Sequence, residues 1–439
     1  MKNIIKMLAL FLIVSLPDVC GRDLRPMTMV QLFELADSHN PDIGAADAKI
    51  AASRQGESVA KNAMLPQINA SLTLSYLGDG TILDRNLSNA TRDRLPHFSN
   101  TLGVEVYQPV YTGGAIRSGI RLADKETEMA VNSKEALANS IRMDIAANYL
   151  ELAKQRNLLK VYDENIVLTE KLLTEMKARY AQGTALKNDI TRYELRLSSI
   201  SYDRLATCNA IKILNNNLVL LTGVDGSTDI VPDITNDGNF LSGSNDIPWL
   251  DVAQSNSPSL KSMNILNDME RLGRDIAWSE YIPKIGLVAG DNFLGPITFE
   301  VPALNKNYNA WFLGVNVKWN LSSLFTTPKS TRKHDLELHR IQIEKDAVLT
   351  GIERDITEAV TLYRQSIERM NIERKNVQLA EENYSVVANR FNNDLALLTD
   401  MLDASNARLD AGVRLVNAEI SARYYYYRLH YITGTLIKL

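Results

Sequence analysis

Four segments of the chain alternate polar and apolar residues with the two-residue period of a β-strand. Between residues 67 and 76, every even-numbered residue from Ile68 to Tyr76 is apolar, and every odd-numbered residue is polar. Each alternating run is about ten residues long, which is the length that a tilted strand needs to cross a membrane. The last run has Trp311 and Trp319 at the ends of its apolar face, as in the aromatic girdles of membrane barrels. Strands are therefore predicted at about 66–77, 100–111, 283–293 and 309–320.

The same alternation also fits a half-buried sheet in a soluble protein, so the strands alone leave both interpretations open. The loops at 77–99 and 294–308 are longer than hairpin turns, which favours an outer-membrane sheet with long outward loops. Four strands cannot close a barrel, because about eight is the practical minimum. The sheet is therefore predicted either to be open or to contribute strands to a barrel shared by several chains.

Long helices with a seven-residue rhythm follow each predicted strand pair. Apolar residues recur every seven positions from Ile145 to Tyr180 and from Ile356 to Phe391, which is typical of coiled helices. A helix over 115–180 would span roughly 100 Å. Turns are predicted at 181–184, where Gly183 can end a helix, and at 392–394. Shorter helical regions precede the strand pairs at about 28–62 and 248–279.

The two halves of the chain resemble each other at a constant spacing. Pro41 and Pro258 lie 217 residues apart, and so do Pro66 and Pro283. Further along, the spacing is 211 residues, for example between Gly103 and Gly314, and a six-residue difference in one loop accounts for the change. This predicts an internal duplication. The predicted division is 1–21 signal peptide, 22–235 first repeat and 246–439 second repeat.

Composition narrows the classes of protein that the chain can represent. The chain has 439 residues and a net charge of −4, so it lacks the excess of basic residues that is typical of nucleic-acid binding. Two cysteines cannot form a disulfide framework, and five histidines leave little material for metal sites. No HExxH motif, nucleophile elbow or phosphate-binding glycine loop occurs. We therefore predict no enzyme activity, no metal and no cofactor.

The first 21 residues predict export. A short basic region with Lys2 and Lys6 precedes the apolar run from Met7 to Leu16, which is the layout of a secretory signal. Lipidation at Cys20 is an alternative, although the residues before this cysteine fit a lipoprotein signal poorly.

The layout resembles the TolC family of outer-membrane efflux and secretion channels over about residues 27–439. The most specific stretch is 398–404 (LTDMLDA), which is similar to the family's second helical turn. Other residues that carry the resemblance are Asn40-Pro41, Ser257-Pro258, Leu65-Pro66, Ile282-Pro283, the segment 107–111 (YQPVY) with Gly113-Gly114, and Leu221-Thr222-Gly223.

The resemblance implies a mainly α fold with a small β part, in which each unit has the order helix, strand, strand, helix, helix. It implies a homotrimer whose chains share a 12-stranded β-barrel and continue it as a tunnel of long coiled helices. Such a protein would lie in the outer membrane of a Gram-negative bacterium and extend into the periplasm. Its implied partners are outer-membrane lipid, a periplasmic adaptor and an inner-membrane transporter of the RND or ABC type.

The helical turns are the candidate site for gating and partner contact. Asp400 and Asp403 are three residues apart and share a helix face, so a trimer would form acidic rings that favour cations. In the first half, Asp189 and Arg192 occupy the corresponding positions. A solvated helix face is the alternative for these residues. The resemblance assigns adaptor contact to Gly183, Thr184, Asn393 and Asp394.

Two charged residues, Glu105 and Lys318, fall on the polar strand faces. They either line the lumen or only keep the pore wall soluble.

The first predicted function is a passive exit duct of a tripartite efflux system for drugs or other small molecules. Type I protein secretion through the same duct is the second, and a soluble periplasmic coiled-coil adaptor is the third. The sequence does not identify the substrate, the pump or the gating mechanism.

Overall fold

The computed structural model describes residues 23–234, 247–300, 302–393 and 395–436. The predicted signal segment, Cys20 and Asp394 lie outside these residues. The fold is mainly helical with a small β part, as predicted. The helices are α1 (Met29–His39), α2 (Pro41–Lys61), α3 (Ala115–Ala181), α4 (Lys187–Thr222), α5 (Trp249–Asn256), α6 (Pro258–Ser279), α7 (Ser323–Asn392) and α8 (Leu398–Ile432). The strands are β1 (Asp23–Met27), β2 (Gln67–Tyr76), β3 (Gly80–Ile82), β4 (Thr91–Asp93), β5 (Phe98–Tyr111), β6 (Thr228–Pro232), β7 (Lys284–Gly295) and β8 (Tyr308–Lys318).

The chain divides into two compact units. The sheet unit takes in Gly44–Leu137 and Leu250–Arg354, and it contains β2 to β5, β7 and β8. The helical unit takes in the described residues up to Ile43, from Ala138 to Trp249 and from Asp355 onward. Among the described residues, no helix is both long and apolar enough to span a membrane.

The sheet unit is built on four antiparallel strands in the order β2-β5-β7-β8. One row across the sheet joins Ile68, Val106, Ala289 and Leu313, so the apolar residues of all four strands lie on one face, here called the apolar face. Its large side chains are exposed, with Trp311 at 78% and Leu313 at 74%. Further exposed members are Ile68, Leu72, Leu74, Tyr76, Leu102, Val104, Leu287, Val315 and Val317.

The opposite side of the sheet, here called the polar face, combines polar residues with two aromatic rings. A Cβ added to Gly286 would lie 2.4 Å from the Tyr107 ring, and one added to Gly290 would lie 2.6 Å from the Phe312 ring. The two glycines therefore leave room for the rings to lie across the neighbouring strand. Glycines covered by cross-strand aromatics shape and stabilise curved sheets.

The helical region before the first strand pair is interrupted at Asn40. Within the helical region predicted at about 28–62, α1 ends at His39 because Pro41 restricts Asn40 to an extended conformation, with ψ at 125°. The Asn40 side chain accepts the backbone N–H of Asp42 at 2.9 Å and donates to the carbonyl of Leu221 at 3.0 Å. It therefore starts α2 and fixes the end of α4 at the same point.

A parallel strand pair, β1 with β6, lies in the helical unit and is not predicted from the sequence. The outer edge of β6 is satisfied by side chains of neighbouring helices. Buried Asn215 donates to the carbonyl of Thr228 at 2.9 Å and accepts the N–H of Ile230 at 2.7 Å. Arg156 donates to the carbonyl of Ile230, also at 2.9 Å. The side chains thus replace a third strand.

Each long helix pairs with the helix that follows it. Ion pairs join Arg204 to Asp163 between α4 and α3, at 2.5 Å, and Arg374 to Glu419 between α7 and α8, at 3.2 Å. Members of the seven-residue series form the buried interior of these pairs. They include Ile145, Leu152, Leu173, Ile356, Tyr363, Met370 and Phe391.

Candidate functional site

The first helical turn, between α3 and α4, is held by backbone bonds. Gly183 has a φ of +77°, a conformation that glycine adopts without strain. Its N–H donates to the carbonyl of Tyr180 at 3.0 Å, and the N–H of Thr184 donates to the carbonyl of Arg179 at 2.9 Å. These two bonds form a Schellman motif, which satisfies the last carbonyls of the helix.

The second turn, between α7 and α8, repeats this bonding 211 residues later. The N–H of Leu395 donates to the carbonyl of Arg390 at 2.8 Å, as Thr184 does to Arg179. The side chain of Asn393 donates to the carbonyl of Asn389 at 2.7 Å, and this bond satisfies another carbonyl in the last turn of α7. Position 394, which corresponds to Gly183, lies outside the described residues.

Two of the predicted tip acids have a structural role. Asp189 accepts the backbone N–H of Leu186 at 2.9 Å, and Asp400 accepts that of Leu397 at 3.0 Å. Each carboxylate lies in the first turn of its helix, where it binds an N–H that otherwise has no helical partner and favours the positive end of the helix dipole. We did not predict this role from the sequence, although the shared Leu-x-x-Asp spacing was visible there.

For the other two predicted tip residues, no such bond to the described backbone of their turns is found. Asp403 is exposed and lies one helical turn beyond Asp400 on α8, and Arg192 is exposed at the matching position on α4. The structure therefore keeps the difference between the halves: two acids on α8, but one acid and one base on α4.

Both turns lie beside one buried apolar cluster, here called the tip cluster. It contains residues of all four helices: Leu172, Leu173 and Met176 on α3, Tyr193 on α4, Phe391 on α7 and Met401 on α8. The guanidinium of Arg179 lies 4.7 Å from the centre of the Phe391 ring, which adds a cation–π contact between α3 and α7. The tip cluster therefore connects the two helix pairs near their turns.

The hydroxyl of Tyr193 is the one polar group of the tip cluster. Tyr193 is 1% exposed, and among the described residues its hydroxyl finds no hydrogen-bond partner. Burial raises its pKa above the ordinary tyrosine value, so the group stays neutral. In the sequence, only its place in an apolar pattern points to this residue.

The two candidate lumen residues lie on the polar face of the sheet. Glu105 is exposed on β5, between Asn69 of β2 and Gly290 of β7 in the same row. Lys318 is the last residue of β8 and pairs with Lys284 of β7. Within the described chain, no group of His, Cys, Asp and Glu side chains is arranged to hold a metal ion.

Comparison with known families gives one match. The sequence model of the outer membrane efflux protein family matches residues 32–224. This segment runs from α1 to the end of α4 and includes the first turn. A sequence search of curated proteins finds no match.

Solved structures match nearly the whole chain. The outer membrane protein VceC from Vibrio cholerae is 16% identical, with a TM-score of 0.73, and the match covers 92% of this chain and 96% of VceC. CusC, a protein studied for transmembrane channel formation, is 12% identical with a TM-score of 0.78, covering 92% of both chains. The Campylobacter jejuni outer membrane channel CmeC is 13% identical with a TM-score of 0.75, covering 93% of this chain and 86% of CmeC.

The predicted resemblance to the TolC family is supported at two levels: residues 32–224 match the outer membrane efflux protein family, and nearly the whole chain shares the fold of solved outer-membrane channels. The solved relatives are described as outer membrane proteins and channels, in agreement with the location that the sequence predicts. The matched family is described as efflux proteins and the structural relatives as membrane proteins or channels, in agreement with the prediction of no enzyme activity.

Proposed function

We propose that three copies of the chain form an outer-membrane channel that serves as the exit duct of a tripartite efflux system. The observation that carries this proposal is the four-stranded sheet with an exposed apolar face about ten residues long and two free edges, β2 and β8. An apolar face of this height suits the hydrocarbon core of a membrane. Free edges are not stable in lipid, since unpaired backbone groups cost several kcal/mol there.

Three copies supply twelve strands and leave no free edge. The strands of each sheet alternate in direction, so β2 and β8 run antiparallel, and a ring of copies continues the antiparallel order without interruption. The polar face, with Glu105 and Lys318, would then line the lumen. Efflux rather than protein secretion is favoured by the family description, outer membrane efflux protein, and by the channel names of the relatives.

The helical turns are proposed to contact a periplasmic adaptor that connects the channel to an RND or ABC transporter. Gly183, Thr184 and Asn393 are exposed at the turns, and the backbone bonds hold them in place without burying their side chains. They therefore offer a rigid surface, whose pre-organisation lowers the entropic cost of binding.

The proposal predicts that the purified protein forms pores. Reconstituted into a planar lipid bilayer, the full mature chain should give discrete conductance steps, and it should fractionate with the outer membrane. A protein that is recovered from the soluble periplasm and shows no conductance would support the adaptor alternative instead.

Deletion of the gene should increase the sensitivity of the cell to small toxic compounds. If deletion abolishes export of a protein and leaves this sensitivity unchanged, the secretion alternative is correct.

The acidic residues of α8 predict a cation-sensitive pore. Replacing Asp403 by Asn removes three exposed charges from a trimer without touching the backbone bond that Asp400 makes, so block by multivalent cations should weaken severalfold. As a comparison, Asp189→Asn also removes three charges, but from the turn that carries Arg192 three residues later, so it should change the block less than Asp403→Asn does. Titration of the bilayer current with a trivalent cation measures the effect. Unchanged block in Asp403→Asn would reject the acidic ring.

A further inference from the structure

We propose a specific register for the contact between neighbouring copies: β2 of one copy pairs antiparallel with β8 of the next, with Leu72 opposite Val315. This inference rests on the proposed shared barrel and adds the residue-level pairing that the barrel requires. It follows from the sheet itself, since the positions of the apolar residues on each strand show how the sheet is inclined in the membrane.

The apolar stretch shifts along the strands from one edge of the sheet to the other. On β2 it runs from Ile68 to Tyr76 and is centred on Leu72. The sheet aligns Ile68 with Leu313, so Val315 and Val317 of β8 lie beyond the start of β2 on the same face. Because the membrane is flat, this displacement of the apolar stretch along the strands indicates that the strands tilt relative to the membrane normal.

The parity of the sheet limits the possible registers. The shift is the number of residues along β2 between the position that a β8 residue aligns with in its own copy and the position that it pairs with in the next copy. Side chains alternate between faces, so this shift must be an even number, or the apolar face would turn into the lumen. In a twelve-stranded barrel, shifts of four, six and eight residues per copy correspond to tilts of about 35°, about 46° and about 54°. Membrane barrels tilt by about 35–45°, which rejects the shift of eight.

The residues at the two ends of β2 decide between the remaining shifts. A shift of six places Tyr76 opposite Trp311 at one rim and Ile68 opposite Trp319 at the other, with apolar pairs between them. A shift of four places Tyr76 opposite Asn309, whose amide already donates to Asp291 at 2.9 Å. It also leaves Trp319 without an apolar neighbour on β2. Aromatic cross-strand pairs stabilise a sheet, and aromatic residues belong at both membrane interfaces. The shift of six satisfies both conditions.

Three double-cysteine variants distinguish the registers in the full-length trimer, in a Cys208→Ser background. Asn316→Cys is combined with Ser71→Cys for a shift of six, with Asn69→Cys for four and with Thr73→Cys for eight. In each variant, the two positions of a single chain are more than about 14 Å apart, too far for a disulfide, so any crosslink joins two copies. Mild oxidation in membranes, followed by denaturing electrophoresis without reductant, is expected to give a covalent trimer only with Ser71→Cys.

The possible results separate the register from the channel proposal. Crosslinking with Asn69→Cys or Thr73→Cys in place of Ser71→Cys would overturn the register and leave the shared barrel standing. If native electrophoresis shows a trimer but none of the variants crosslinks, also with a short bifunctional thiol reagent, the β2–β8 contact is wrong. If the protein is a monomer in membranes, the proposed channel fails as well. Each single-cysteine variant serves as the control for crosslinking through other thiols.

Discussion

Replacing Leu72 by Arg is expected to abolish assembly of the protein in the outer membrane. Leu72 lies at the centre of the apolar stretch of β2 and is 65% exposed on the apolar face. An arginine at the middle of the membrane costs about 2–4 kcal/mol, so three copies cost about 6–12 kcal/mol per trimer. The measurement is the amount of trimer that remains in the outer-membrane fraction after washing with urea.

The neighbouring residue provides the matched control. Thr73 is also exposed on β2, but it belongs to the polar face. Thr73→Arg adds the same charge and bulk to the same strand, and it should leave most of the trimer in the membrane. Equal loss from both variants would show that any arginine on β2 prevents folding. Equal retention of both would mean that the apolar face does not contact lipid.

Replacing Asn215 by Leu is expected to destabilise the helical unit by about 2–6 kcal/mol. The side chain is 1% exposed, and it donates to the Thr228 carbonyl and accepts the Ile230 N–H on the outer side of β6. Leucine keeps the branching at Cγ but has no polar atoms, so both backbone groups would be left buried without this partner. Each such group costs about 1–3 kcal/mol. Thermal unfolding followed by circular dichroism of the purified protein measures the loss.

The sequence offers a control at the next position, because residues 215–217 are all asparagine. Asn216 is exposed, so Asn216→Leu changes the helix surface in the same way without removing a buried bond. Its unfolding temperature should stay close to that of the unchanged protein. A similar decrease in both variants would indicate that helix α4 tolerates no leucine here, and that the bonds to β6 are not the cause.

The strands could be located from sequence because their alternation has a physical cause that acts on every residue. In β2, each even-numbered side chain lies on the apolar face and each odd-numbered one on the polar face, so the pattern is complete over ten positions. The long helices were recognisable for the same reason, because a coiled interior requires an apolar residue every seven positions.

The strand pair β1 and β6 could not be found in this way. Each strand is only five residues long, and Pro26 in β1 and Pro232 in β6 argue against strands in a sequence pattern. The residues that hold the pair, such as Asn215, come from distant helices, and a single sequence does not show that these residues are close in space.

The candidate tip acids show a different limit of prediction from sequence. Their charge suggested a pore ring, whereas the contact of Asp400 with the Leu397 backbone depends on where the helix begins.

The two helical turns share their backbone geometry but not their side chains. The bonds from Thr184 to Arg179 and from Leu395 to Arg390 include a main-chain N–H in both turns, so apart from Gly183, whose φ is +77°, the exposed positions of the two turns can differ. A trimer would therefore present a ring of six turns in which two chemically different surfaces alternate. A partner that grips this ring would meet two kinds of binding site, and substitutions in one kind could change its affinity there while the other kind keeps the assembly together.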